Sequence, residues 1–139
     1  MSADATFLGY PRPDGRVGVR NHVLVVPTVI CSAVVAERIA AAIAPVGAAL
    51  PHLAGCGQLG PDMNLTHETL AAYCGHPNVG AVIVVALGCE QVVAVSLADA
   101  ARRAGKPANR CRSSRFRPKV ERCARPREAS RSRASSRNS

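Results

Sequence analysis

The chain has 139 residues, a formal net charge of +9 and six cysteines, with 47% hydrophobic and 3% aromatic residues. That length predicts one domain, and no apolar run reaches the roughly 20 residues that span a bilayer, which excludes a membrane-spanning helix. Residues 1–101 carry four basic and seven acidic side chains, whereas residues 102–139 carry fourteen basic and two acidic, so the body is mildly acidic and no general basic face for nucleic acid exists.

Residues 1–20 read as a turn-rich lead-in. Pro13-Asp14-Gly15 is a strong turn signal, because Pro presets φ and Gly accepts positive φ. Met1-Ser2-Ala3-Asp4 lacks a basic region and an apolar signal core. The expected setting is therefore cytoplasmic and reducing, where loop cysteines lean to metal or redox chemistry rather than disulfides.

A first buried strand is predicted over Asn21–Val29, and Ser32 is placed to cap a helix over Ala33–Ala44 that Pro45 and Gly47 end. A short second strand, Ala48–Leu53, runs into the loop Gly55-Cys56-Gly57-Gln58-Leu59-Gly60. Asn64 or Thr66 is placed to cap a helix over His67–Cys74, and His76-Pro77-Asn78 is a connector. Ala81–Leu87 is the clearest strand, and Gln91–Ala104 is a helix closed by Gly105 and Pro107. This β-α-β-α-β-α order over residues 21–107 predicts an α/β fold, a three-layer unit with a parallel sheet. Loops at the carboxyl ends of parallel strands gather on one edge. Cys31, Cys56 and Cys89, one after each strand, are therefore expected on a common rim.

Residues 108–139 are Arg, Ser, Pro and Ala with almost no aliphatic side chains. They bury too little apolar surface to offset the entropy of ordering, so a disordered basic tail is predicted. The abrupt change also reads as out-of-frame translation of a GC-rich gene. Failure of the shifted frame to yield a glycine-rich α/β continuation would reject that idea. Cys111 and Cys123 are twelve residues apart with no His or Cys pair to complete a zinc site.

Three motifs carry a family resemblance. Gly9-Tyr10-Pro11-Arg12-Pro13-Asp14-Gly15-Arg16-Val17-Gly18-Val19-Arg20-Asn21 leads into a strand and Cys31-Ser32-Ala33. Gly55-Cys56-Gly57 follows, and then His76-Pro77-Asn78-Val79, a strand, and Leu87-Gly88-Cys89-Glu90. In order and spacing these resemble the altronate/galactarate dehydratase family of sugar-acid hydro-lyases, which includes the large subunit of sulfolactate sulfo-lyase. The likeness covers about residues 7–107, one domain of a longer enzyme. It implies a carbon–oxygen lyase acting on a small hydroxy-carboxylate, with a divalent metal, ferrous iron, as cofactor. It also implies a second copy or a partner subunit that supplies the missing domain.

Such a dehydration removes a weakly acidic proton beside a carboxylate and expels hydroxide, which needs a base, an acid and stabilisation of the enediolate. Cys31, Cys56 and Cys89 are candidate metal ligands or site-lining groups, thiolate being a soft ligand that suits iron or zinc. A free cysteine at a strand end also serves as a small buried hydrophobe. His52 and His67 are candidates for proton transfer or ligation, His67 in the first turn of its helix, where the dipole favours neutral imidazole. Either is equally readable as an ordinary core or surface histidine. Glu90 is a candidate ligand or base, or simply a favourable charge before a helix. Arg16, Arg20 and Asn21 are candidates for substrate contact, or a solvated turn in which Arg pairs with Asp14. The glycine-rich loop lacks the Gly-Lys-Ser/Thr of a P-loop.

The competing readings are a hydro-lyase domain acting on a sugar acid, a sulfo-lyase acting on sulfolactate, and a truncated non-catalytic subunit of the same fold. Last comes a basic-tailed nucleic-acid binder. In its tail only Phe116 is aromatic, so base stacking would be sparse.

Overall fold

The computed structural model describes residues 6–112. A small antiparallel hairpin, β1 (Tyr10–Pro11) and β2 (Val17–Gly18), precedes the main unit. The unit then runs β3 (His22–Pro27), α1 (Ala33–Ala42), β4 (Gly47–Ala49), α2 (Gly60–Gly75), β5 (Val79–Ala86), α3 (Ala94–Arg103) and β6 (Ala108–Arg112). The four long-range strands form one parallel sheet in the order β4-β3-β5-β6.

β3 and β5 are central because their apolar runs suit burial on both faces. Alternation divides their side chains. Leu24, Val26, Val82 and Val84 join Leu70, Cys74, Leu97, Ala98 and Ala101 beneath α2 and α3. Val25, Ile83 and Val85 join Ala36, Ile39 and Ala40 beneath α1. The helices bury residues at the spacing of one helical face: Ala36, Ile39 and Ala40 in α1, and Leu97, Ala98 and Ala101 in α3. The three-layer α/β expectation holds. No helix among the described residues is long and apolar enough to cross a membrane.

The chain leaves β3 towards β4 on one side, then returns past β3 to β5 on the other. That reversal puts a topological switch point between β3 and β5, and α/β sheets hold their ligands outside the carboxyl ends of the strands at such a point.

Three local expectations change. Ser32 does not cap α1 with its side chain; its hydroxyl instead donates to the Val29 and Val85 carbonyls at 2.9 and 3.3 Å. α2 begins at Gly60, not near His67, with Pro61 in its first positions and Asp62 in its first turn, both favourable at a helix start. Residues 108–112, assigned from sequence to a disordered tail, form strand β6, in register from Val82↔Ala108 to Ala86↔Arg112. The rest of the tail, with Cys123, lies outside the described residues.

Ile39 and Leu97 are both fully buried, on opposite faces of the sheet. Replacing either with Ala is expected to cost about 2–5 kcal/mol. Val34→Ala, on the exposed side of α1, should change stability by less than about 0.5 kcal/mol. Urea unfolding of the three variants checks the contrast.

Candidate functional site

Three loops meet outside the carboxyl ends of β3, β4 and β5. The loop after β3 is tied to β5 by the Thr28 N–H, which donates to the Val85 carbonyl at 3.0 Å; the Thr28 hydroxyl lies 3.3 Å from the same oxygen. The loop after β4 folds back over it, with the Ile30 N–H donating to the Ala54 carbonyl at 3.0 Å. Gly55 sits at φ +97°, and a Cβ there would lie 2.3 Å from the Thr28 carbonyl oxygen. Only glycine permits both that backbone conformation and that approach.

An amide relay joins this loop to the one after β5. The Gln91 side-chain oxygen accepts from the Gln58 N–H at 2.8 Å, and the Gln58 side-chain oxygen accepts from the Gly55 N–H at 2.9 Å. Gln58 Nε2 in turn donates to Thr66 Oγ1 at 2.8 Å, anchoring the loop to α2. Sequence reasoning assigned neither glutamine a role. Their contact spans 33 positions of sequence, and no spacing rule signals it.

Cys31, Cys56 and Cys89 lie one on each of these loops, and all three are free and exposed. They share the rim, as expected, without closing into a cluster: among the described residues no group of three His, Cys, Asp or Glu side chains is arranged to hold a metal ion. The donors among the described residues therefore do not by themselves fit a resident metal centre.

His52 lies beside the Gly-Cys-Gly loop. The Ala54 N–H donates to its Nδ1 at 3.2 Å, so that nitrogen is the acceptor and the proton sits on Nε2, which donates to the Pro27 carbonyl at 2.8 Å. Both nitrogens are thus committed to backbone, and the imidazole acts as a latch between the loops after β3 and β4. His67 is the eighth residue of α2 rather than a first-turn residue, roughly 10 Å along the axis from its start. Its Nε2 meets Ser96 Oγ at 2.8 Å and ties α2 to α3. The helix-dipole argument for His67 therefore lapses.

Glu90 is half-buried on the rim. Its Oε2 accepts from the N–H groups of Leu87, Gly88 and Cys89 at 3.2, 2.5 and 2.9 Å. Burial pushes its carboxyl up, but hydrogen bonds from the loop backbone and from the Thr28 hydroxyl outweigh burial and hold it below the usual carboxylate range. Glu90 is therefore ionised at neutral pH.

Arg16, Arg20 and Asn21 lie at the opposite, amino edge of the sheet, before β3. They do not meet the thiols. Arg16 donates to Asp14 at 2.6 Å and to the Gly75 carbonyl at 2.8 Å. Arg12 Nε donates to the Pro77 carbonyl at 2.7 Å, and its Nη2 donates to Asn21 Oδ1 at 2.9 Å and to the Arg20 carbonyl at 3.2 Å. The side-chain oxygen of Asn78 accepts from the N–H groups of Val19 and Arg20. Buried Lys106 donates to the His76 carbonyl. Three cations thus meet consecutive carbonyls at the end of α2, where unpaired acceptors and the helix dipole favour positive charge. The paired-turn reading of the lead-in describes this geometry: the segment clamps the end of α2 and the start of β5.

Residues 9–129 match the family described as "D-galactarate dehydratase/Altronate hydrolase, second domain". The chain belongs to this family. The match extends past residue 107, where the motif likeness stops. The chain is 45% identical over 102 residues to the (2R)-sulfolactate sulfo-lyase subunit beta of Chromohalobacter salexigens, covering 73% of this chain and 25% of that protein. It is 42% identical over 94 residues to the altronate dehydratase of Bacillus subtilis, covering 61% and 19%. It is 40% identical over 99 residues to that of Escherichia coli, covering 65% and 20%. The chain therefore spans a fifth to a quarter of the length of these relatives. No solved structure matches. These relatives are a dehydratase or a sulfo-lyase by name, and the three rim loops and the lead-in clamp lie within the residues that match the family.

The clamp has a pH signature. The Lys106 amine is held down to about 8, from 10.5, by burial first and then by Arg12 and Arg16, against the pull of Asp14 and Cys74. From about pH 8 to 10.5 the unfolded chain keeps a proton the folded chain has released, so this group's contribution to stability rises with pH. Burial pushes the Cys74 thiol up to about 11 from 9.0. There the folded chain keeps a proton the unfolded one loses, and stability falls from pH 9.0 upwards. For these two groups the expected net gain therefore lies between about pH 8 and 9. Urea midpoints measured at stepped pH should show this rise for the native chain and lose it in Lys106→Met.

Proposed function

We propose that this chain is a hydro-lyase domain that handles the carboxylate end of a sugar acid of the altronate/galactarate class. The observation that carries this reading is the ionised Glu90, held at the switch-point rim of a domain from a lyase family. Glu90 is the carboxylate available to take the proton beside the substrate's own carboxylate. The thiols of Cys31, Cys56 and Cys89 line the same rim and are its nearby S–H donors for a departing hydroxyl. His52 holds two of the rim loops together, and the Gln58–Gln91 relay holds the third to them. The family's implied divalent iron would need donors beyond those the described residues bring together.

The rim also exposes Ile30, Leu53, Leu59 and Val93, with Leu53 88% and Leu59 78% accessible. In this reading the remainder of the enzyme covers them, as a partner subunit or a second copy. A cytoplasmic, reducing compartment keeps the exposed cysteines as thiols.

The 45% identity to a sulfo-lyase subunit supports a second reading, in which (2R)-sulfolactate is the substrate and sulfite the leaving group. Assays of the anaerobically purified chain against altronate, galactarate and sulfolactate separate the cases. Release of a 2-keto acid from either sugar acid, reduced by about 100-fold or more in Glu90→Gln, is the expected outcome. Sulfite release from sulfolactate alone would favour the second reading. A folded chain inert towards all three would mark it as a non-catalytic piece.

A further inference from the structure

Three successive backbone N–H groups, those of Leu87, Gly88 and Cys89, converge on one oxygen of Glu90. Gly88 sits at φ +103°, which turns the backbone so that its neighbours' amides face one point. Successive amides arranged this way make a concave anion-binding nest. The nest is filled by a side chain of the same loop. Neither ion pair among the described residues involves Glu90; backbone amides and the Thr28 hydroxyl stabilise its charge.

The nest lies outside the carboxyl end of β5, beside the switch point where α/β sheets hold ligands. Two of its three donors, Gly88 and Cys89, belong to exposed residues. The surrounding rim carries free thiols and no cation among the residues that contact Glu90. A carboxylate arriving at this rim therefore meets one arrangement already shaped for a carboxylate, with a carboxylate in it.

We propose that the amide nest of residues 87–89 is the docking point for the substrate's carboxylate, and that Glu90 is its intramolecular occupant, displaced when substrate binds. This deepens the hydro-lyase reading above and rests on it for the identity of the incoming acid. On displacement Glu90 gives up the hydrogen bonds that favour its ionised form, and its affinity for a proton rises towards that of an ordinary carboxylate. Substrate binding and strengthening of the base are then one event. No bond is made or broken in the exchange; one carboxylate replaces another on the same donors.

A tethered competitor has an effective concentration of at least millimolar order, so a simple free carboxylate should enter the native nest poorly and the vacated nest readily. The probe is sodium acetate, titrated at constant ionic strength into the full chain while the backbone amides of 87–89 are followed by NMR. In Glu90→Ala these amides should shift saturably, with half-saturation at least about tenfold lower than in the native chain. Glu90→Gln, a weaker acceptor of similar shape, should fall between the two. Amides of 87–89 that ignore acetate in Glu90→Ala, while those of Val82–Val85 keep their native positions, would overturn the proposal. If Glu90→Ala does not fold, a Glu90→Gln response no tighter than the native one would overturn it instead. Turnover is not part of the readout, so a silent nest leaves the lyase reading standing and an inert chain leaves the nest standing.

Discussion

β3 and β5 lie side by side and parallel, with Val25, Val26, Val84 and Val85 wholly removed from water. Every other element takes its position from this pair. Its two faces give α1 and the α2/α3 layer their apolar seats. Its carboxyl ends fix where the loops carrying Thr28, Ser32 and Glu90 emerge. The Val85 carbonyl shows the dependence directly: it accepts from the Thr28 N–H at 3.0 Å, and the Thr28 and Ser32 hydroxyls each lie 3.3 Å from it. Buried polar groups need such partners, so the first rim loop is pinned to the neighbouring strand.

The two edges of the sheet handle charge in opposite ways. At the amino edge, Arg12, Arg16 and Lys106 satisfy the carbonyls that end α2. At the carboxyl edge, backbone amides satisfy one carboxylate. Both are solutions to the same problem, unpaired backbone dipoles at the ends of regular elements. The difference lies in the partners: Arg12, Arg16 and Lys106 are spent on carbonyls from a distant segment, whereas Glu90 is held by amides of its own loop.

The core was largely legible in the sequence. Val23–Val26 and Ala81–Val85 are apolar and β-branched over the length of a strand, and few other conformations suit such a run. Elements decided by weaker signals were read less well. The start of α2 is one: Gly60-Pro61 continues a glycine-rich loop in sequence, yet Pro is equally at home in a helix's first turn, so His67 falls in the helix's middle rather than its first turn. β6, Ala-Asn-Arg-Cys-Arg, has no apolar run; it is a strand because β5 offers it a ladder of hydrogen bonds at the sheet's edge. Ser32 has the chemistry of a helix cap, but the Val85 carbonyl is a buried acceptor within its reach.

Sequence alone determined the α/β class, the order of the three strands β3, β4 and β5 and their helices, the family, and the placement of one thiol on each of three rim loops. Each follows from local pattern: hydrophobic period, turn chemistry, and motif order along the chain. Only the tertiary structure decided that Arg12 and Arg16 serve helix α2, that both nitrogens of His52 are spent on backbone, and that Glu90 fills a nest of amides. It also decided that the thiols share a rim without forming a metal cluster. Those outcomes depend on distances between groups up to 65 residues apart, or on the direction in which individual N–H bonds point, and residue order encodes neither until the sheet has brought its edges together.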